Sequence, residues 1–292
     1  MRQFSDFNPI VIAVWFFAVT GICMFCNYPA LMGISLLGGV LLFLTRNGFS
    51  HGKTHLFFAA MFVILALANP LISHNGVTVL LVVNHNPVTL EALLYGLNSA
   101  AMIVGVLYWF RSFTQIMTSE KLLYLTGSLS PKLSLVLSMA LRFVPLLTEQ
   151  SRKIHDAQIA AGLYRKDNAV DGLRGRMREF SVLITWALEN GITTADSMES
   201  RGYGVTHRSR MKLFRWTRPD VIFLLVTLAL TSITALSAGT GALQFAFYPA
   251  ITAGNPGIMG FCGMTAFALL VLMPTVWEWE VRLYWHCLTS KL

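Results

Sequence analysis

An all-α, polytopic membrane protein with about six transmembrane helices and a cytoplasmic segment of amphipathic helices is predicted by three observations. Uncharged runs long enough to span a bilayer recur along the 292 residues. Lys and Arg segregate completely between alternate connections, and 17 of the 22 basic residues fall in one stretch, Arg111 to Arg218. A hydrocarbon core about 30 Å thick needs roughly 20 mostly apolar residues in helical form, because nothing else there satisfies the backbone.

Phe7 to Thr45 contains no Asp, Glu, Lys or Arg across 39 residues, about twice the membrane thickness at about 1.5 Å per residue. It must fold back. Asn27-Tyr28-Pro29 is the place, since proline lacks a donor and pushes its predecessor away from helical angles, which leaves spans near 10–26 and 30–45. Thr54 to Leu90 supplies a third span near 56–72, and its second half (Ser73-His74-Asn75-Gly76, then Asn84-His85-Asn86-Pro87) reads as loop around a short Val/Leu run. Ala92 to Phe110 is the fourth, opened by Thr89 as N-cap with Glu91 in the first turn, where the helix dipole favours an anion. Val221 to Trp277 is interrupted by the Gly- and Pro-containing Ser237 to Gly257, which predicts two more spans near 221–237 and 258–276. The chain therefore divides into N-terminal spans (1–110), a charged segment (111–218), and C-terminal spans with a tail (219–292).

Six spans place both termini on one side, together with Arg2, Arg46, Lys53, the 111–218 segment, Arg282 and Lys291, while the opposite loops carry no Lys or Arg. The positive-inside rule makes that basic side cytoplasmic, in a multi-pass protein of the cell membrane. The first apolar run reads as mature structure, because no basic n-region followed by a small-residue cleavage site precedes it.

The charged segment holds 17 basic and 9 acidic residues, and the difference of +8 equals the formal charge of the whole chain. Basic charge beside a bilayer follows from topology and attraction to anionic lipid. Nucleic acid is not an indicated partner, since no aromatic-basic interleaving accompanies the charge. Cys23 and Cys26 form C-x-x-C inside an apolar span with no second ligand pair, and read as small buried hydrophobes. Gly48 to Thr54 resembles a phosphate-binding loop but has three residues between its glycines where four are required. His51 and His55 share a helical spacing without a nearby carboxylate or thiol, so interfacial histidines are the better reading than a metal site. No catalytic residue, cofactor site or metal site is indicated, and the span centres lack the ionisable groups of a proton or ion relay. An integral membrane enzyme or channel with a basic cytoplasmic loop is the alternative class, and it calls for intramembrane polar clusters.

Function therefore rests on the charged segment. Lys132 to Gly162 follows Pro131 and sets Leu133, Val136, Leu137, Ala140, Phe143, Val144, Leu147 and Ile154 at spacings of three and four, the pattern of an amphipathic helix. Lys132, Arg142, Glu149, Arg152 and Lys153 argue against a further span, and Pro145 predicts a kink or break. A second such stretch, Arg176 to Arg201, carries Phe180, Leu183, Ile184, Ala187, Leu188 and Ile192, with Gly191 as a weak point. Both are too apolar to stand alone in water. Their ends align at an offset of 40, with Asp156 and Gly162 matching Asp196 and Gly202. Glycine just past a helix permits the left-handed angle that closes the last turn. An ordinary helix cap would explain either site singly, and the pair of them points to an interaction site.

Asn86 to Gly96, Thr118 to Leu123, Leu141-Arg142-Phe143-Val144-Pro145-Leu146-Leu147 and Ser200-Arg201-Gly202-Tyr203-Gly204 together resemble the transmembrane T component of energy-coupling factor (ECF-type) ABC transporters. The likeness covers roughly residues 86–204, and the flanking spans fit in number and order. It implies a non-catalytic scaffold and coupling subunit of a vitamin or metal-ion importer. Two ATP-binding cassette ATPase subunits would bind below it, and a substrate-binding membrane subunit would dock beside it. The two amphipathic helices would be coupling helices, each inserting a tip into one ATPase. The first tip maps to Ala160, Ala161 and Gly162, and the second to Ser200, Arg201 and Gly202. Ala161 stands where the family usually has arginine, with Arg165 as the substitute nearby. Leu137, Val144 and Leu183 would face the substrate-binding subunit.

Overall fold

Asn8 starts the first long helix, its side chain accepting from the Ile10 amide at 3.1 Å ahead of Pro9. The computed structural model describes residues 3–48, 52–73, 76–83, 86–163, 169–204, 214–248, 251–254 and 256–289. After a short 3-10 turn (Phe4–Asp6) come α1 (Pro9–Phe25), α2 (Pro29–Asn47), α3 (Gly52–Ile72), α4 (Leu90–Ile116), α5 (Ser119–Leu129), α6 (Pro131–Ala160), α7 (Ala169–Ser200), α8 (Arg218–Gly239) and α9 (Gly257–Thr289). The chain divides into two units, Met1–Leu122 with Phe214–Leu292, and Leu123–Leu213.

In the first unit α4 packs on α2 and α3, α9 on α2 and α8, and α1 on α8 and α4. Small residues make this closeness possible: a Cβ on Gly38 would collide with Val271, and one on Gly263 with Ser237. That is how helices associate where lipid removes the hydrophobic incentive to do so. The core is aromatic. Trp15 meets Trp109 edge-on at 5.5 Å, and Phe4 and Phe7 both reach Phe223. The indole groups are satisfied, Trp15 Nε1 donating to the Leu270 carbonyl and Trp109 Nε1 to Ser35 Oγ, both at 3.0 Å. Cys23 is buried and also donates to Ser35 Oγ at 2.9 Å, Cys26 is half-buried, and Cys262 is exposed.

The predicted punctuation holds at Pro29, which opens α2, and at Thr89, whose Oγ1 accepts from the Ala92 amide at 3.3 Å. Three features depart from the sequence reading. The segment read as loop before α4 forms an antiparallel ladder of β1 (Val79–Val83) with β2 (Asn86–Thr89), held by Thr78, which donates from its amide and hydroxyl to the Glu91 carboxylate. A second ladder, β3 (Phe245–Ala246) with β4 (Thr252–Ala253), occupies the break before α9. Helix α9 continues through Glu278 because Arg46 pairs with that carboxylate at 3.0 Å, while Arg282 donates to the Arg46 carbonyl.

Among the described residues six helices are long and apolar enough to cross a membrane by length and composition, the predicted number with one change of membership. Residues 132–160 of α6 qualify, whereas α1 has 17 residues. The reason is local: Pro131 to Thr148 holds only two charges, Lys132 and Arg142, and the other charges of α6 follow it.

The candidate coupling tips

Helices α6 and α7 pack on each other as an antiparallel pair. The last third of α6 meets the start of α7, with Ser151 Oγ donating to Glu179 Oε1 at 2.5 Å and His155 Nδ1 3.4 Å from Glu179 Oε2. The first third of α6 faces the end of α7 across a groove of about 490 Å³, lined by Leu135, Met139 and Phe143 on one wall and Gly191, Ala195 and Met198 on the other. The helix ends at Gly162 and Gly202 therefore lie at opposite ends of the pair, roughly 45 Å apart for a 30-residue helix at about 1.5 Å per residue.

Both ends close in the same way. Gly162 has φ +67° and Gly202 has φ +79°. The Gly162 amide donates to the Ile159 carbonyl and the Leu163 amide to Gln158, both at 3.0 Å. Forty residues on, Gly202 donates to Glu199 at 2.8 Å and Tyr203 to Met198 at 3.0 Å. Each set is a Schellman closure, which satisfies orphan carbonyls and needs the left-handed angle that glycine adopts freely. A Cβ at either glycine would meet nothing within 4 Å. Ala160, Ala161, Gly162, Ser200, Arg201 and Gly202 are all exposed, so the tips are open knobs. Arg165, the proposed substitute for the missing arginine at Ala161, lies outside the described residues, as does His51.

Residues 4–213 match the family described as CbiQ, cobalt transport protein. The chain belongs to the CbiQ family. It is also similar to proteins named energy-coupling factor transporter transmembrane protein EcfT. The Lactobacillus helveticus protein is 35% identical over 98 residues, 32% of this chain and 34% of its own length. The Exiguobacterium sibiricum protein is 36% identical over 106 residues, 34% and 39% of the two chains. The Thermotoga maritima protein is 31% identical over 98 residues, 33% and 36%. The chain thus covers little more than a third of the length of these relatives. CbiQ membership and these names bear out the resemblance to T components, and with the apolar helices they make this a multi-pass membrane protein.

Of the residues assigned to a partner face, Val144 is 59% exposed, whereas Leu137 and Leu183 are half-buried. Leu183 stands four residues after Glu179, on the stripe of α7 that faces α6. Pro145 and Gly191 do not break their helices, which run through both.

Two features of this CbiQ chain were not singled out from the sequence. The first is the Ser151, His155 and Glu179 cluster, whose only linear trace is Ser and His four apart on an otherwise apolar stripe. The second is Lys121, 8% exposed, whose Nζ donates to the carbonyls of Ser5 at 2.5 Å and Ile116 at 3.0 Å. Burial pushes its ammonium below the usual lysine value, with Asp6 opposing that shift and Arg46 adding to it. His55, weighed above as a metal ligand, instead lies with Nδ1 3.1 Å from Tyr108 Oη. Among the described residues no group of three or more His, Cys, Asp or Glu is placed to hold a metal ion.

Proposed function

We propose that this chain is the membrane scaffold and coupling subunit of an ECF-type importer for a vitamin or metal ion. It transmits ATP-driven motion of two ATPase subunits to a separate substrate-binding membrane subunit, and is itself non-catalytic. The observation that carries this reading is the pair of exposed tips with the same Schellman closure at opposite ends of one antiparallel helix pair, in a member of the CbiQ family. Two knobs held roughly 45 Å apart by a rigid pair suit two copies of a similar groove, one on each ATPase.

The sequence of events follows from the parts. ATP binding draws the ATPases together, and their grooves carry the tips Ala160-Ala161-Gly162 and Ser200-Arg201-Gly202 with them. The helices convey that displacement along their length as rigid rods, to a substrate-binding subunit seated on apolar surface that includes the exposed Val144 and the half-buried Leu137, with Leu183 supporting that surface from the stripe of α7 toward α6. Arg201 anchors the second tip through its fork of donors, which suits a carboxylate in the groove. Ala161 gives the first tip a small apolar contact. The charged segment, the termini and both tips face the cytoplasm.

Purification of the tagged chain from its own membranes, with mass spectrometry of what accompanies it, tests the reading. Two ATP-binding cassette subunits and a small apolar membrane protein are expected. Recovery of intact, folded chain without any ATPase would reject it.

A further inference from the structure

The unit formed by Met1–Leu122 with Phe214–Leu292 is joined to the unit Leu123–Leu213 by two peptide bonds, one after Leu122 and one before Phe214. Motion that passes along the chain from the second unit therefore enters the first at these two junctions. Beside each junction stands a buried ion. Lys121 lies in the first turn of α5, two positions before Leu123, and is 8% exposed. Its Nζ donates to the carbonyl of Ile116, the last residue of α4, at 3.0 Å and to that of Ser5 at 2.5 Å. Asp220 lies in the first turn of α8 and is 2% exposed. Its Oδ2 accepts from the Thr217 amide at 2.8 Å and hydroxyl at 2.6 Å, and its Oδ1 accepts from the Asn8 amide at 3.1 Å.

Each ion thus makes contacts within its own junction and one contact with the same short segment, residues 3–8. That segment is braced. The Asp6 carboxylate accepts from the Gln3 amide at 3.0 Å and closes the 3-10 turn on itself. Phe4 and Phe7 are buried, and both rings lie against Phe223, one turn along α8 from Asp220, at 5.6 and 5.1 Å. Phe4 also meets Trp15 of α1 edge-on, and Phe7 meets Trp277 of α9 in the same way. Removing either ion leaves buried backbone groups without that partner, which is costly, so the contacts resist being pulled apart.

We infer that residues 3–8 are a strap, with Lys121 and Asp220 as its positioning residues, that fixes the exit and the return of the chain as one rigid mount. This rests on the coupling role proposed above, and it assigns the place where displacement of the charged segment is handed to the membrane helices. Without the strap each junction yields separately and absorbs the displacement. With it the two move together and carry α1, α4, α8 and α9, each of which the strap or its two ions touch.

The test places spin labels at Glu120→Cys and Arg218→Cys, exposed positions beside the two ions, in the full chain with its native cysteines replaced. In the assembled complex the distance between them is expected to be narrow and unchanged when a non-hydrolysable ATP analogue is added. Lys121→Met or Asp220→Ala should broaden it, and the analogue should then shift it by several ångströms. The double variant should resemble the wider of the single ones, because a strap cut at one end is already cut, whereas independent losses of packing add. Phe4→Ala, which loosens the strap between its ends and leaves both ions in place, should behave likewise and serves if an ion variant does not reach the membrane. Ser35→Ala, which takes the partner of Trp109 and Cys23 from the same unit at a distance in the chain from the strap, should leave the distribution narrow. A narrow distance insensitive to the analogue in every strap variant, additive broadening in the double variant, or equal broadening in Ser35→Ala would each overturn the strap. The distribution is also read on the full chain alone in detergent. Absence of ATPases from the purified complex would therefore sink the coupling role, while the variants of the chain alone still decide the strap.

Discussion

Arg201 and Ala161 occupy equivalent places, the residue before the left-handed glycine of each tip, and differ in chemistry as much as two residues can. If Arg201 pairs with a carboxylate in an ATPase groove, Arg201→Ala leaves that carboxylate buried and alone, a loss on the order of 2 to 5 kcal/mol. Retention of the ATPases on the tagged chain should fall, and with it ATP-driven uptake, at unchanged membrane abundance. Ala161→Gly should change little, and Ala161→Arg should be tolerated or should tighten retention. Small and equal effects at both tips would reduce them to ordinary helix caps. Lys121 makes a separate residue-scale prediction. Burial holds its ammonium below the ordinary lysine value, so the unfolded chain binds that proton more tightly than the folded one. Its contribution to stability is complete above the unfolded value and is lost as pH falls through the lower folded value. As pH is raised toward the ordinary lysine value, the melting temperature in detergent should rise with pH relative to that of Lys121→Met. A constant difference across that range would show that burial does not perturb the group. Lys121 belongs to a motif that carries the family resemblance, and its two carbonyl partners, Ser5 and Ile116, give the motif a physical cause that its own sequence hides.

At the scale of elements, what was legible depended on whether the signal was local. Span starts at Pro29 and Thr89 follow from proline geometry and a capping hydroxyl within four residues of the helix they open, and both stand where expected. Helix α9 outruns its predicted end because Glu278 finds Arg46, 232 positions away in the chain, and no local pattern reports that pairing. The β1 and β2 ladder was missed for a similar reason. Its anchor, Glu91, reads locally as a first-turn acid, and only the fold brings Thr78 to it. Both tips were legible because glycine at a helix end has few other uses, whereas the Ser151, His155 and Glu179 cluster joins two helices and was not. These distinctions shape the element-scale prediction. Val144→Asp alters an exposed position of α6 and should release the substrate-binding subunit while leaving the helix pair intact. Leu183→Asp places a charge on the stripe toward α6, where burial of a leucine is worth roughly 1.5 to 3 kcal/mol, and should loosen the pair itself. Leu137→Asp, at a half-buried site, should do some of each. Retention of the membrane subunit, read beside helicity and melting temperature, separates the outcomes. A Val144→Asp complex that assembles and transports normally would remove that face from the interface.

For the whole molecule, the strongest sequence signal is the segregation of charge: all 22 Lys and Arg fit one side of a six-span arrangement. The apolarity of α6 tests that arrangement severely, because its first 18 residues are uncharged enough to enter a bilayer, and if α6 crossed, everything after it would change sides. The positive-inside rule opposes such a crossing: it would put Arg174, Arg176 and Arg178 on the far side of the membrane from Arg111 and Lys121, against a cost borne by every basic residue moved. The proposed engagement of the two tips by two ATPases also requires both ends of the α6 and α7 pair to lie in one aqueous compartment. Single cysteines introduced at Gly241, Gly127 and Arg174, in a chain whose native cysteines (among them the exposed Cys262) have been replaced, decide the matter. A membrane-impermeant maleimide added to intact cells should label the Gly241 position, between α8 and β3, and should reach Gly127 and Arg174 only after the membrane is opened. Labelling of Arg174 but not Gly127 in intact cells would show that α6 crosses the bilayer, and labelling of both without Gly241 would invert the molecule. Either result would withdraw the tips from the ATPases that they are proposed to engage.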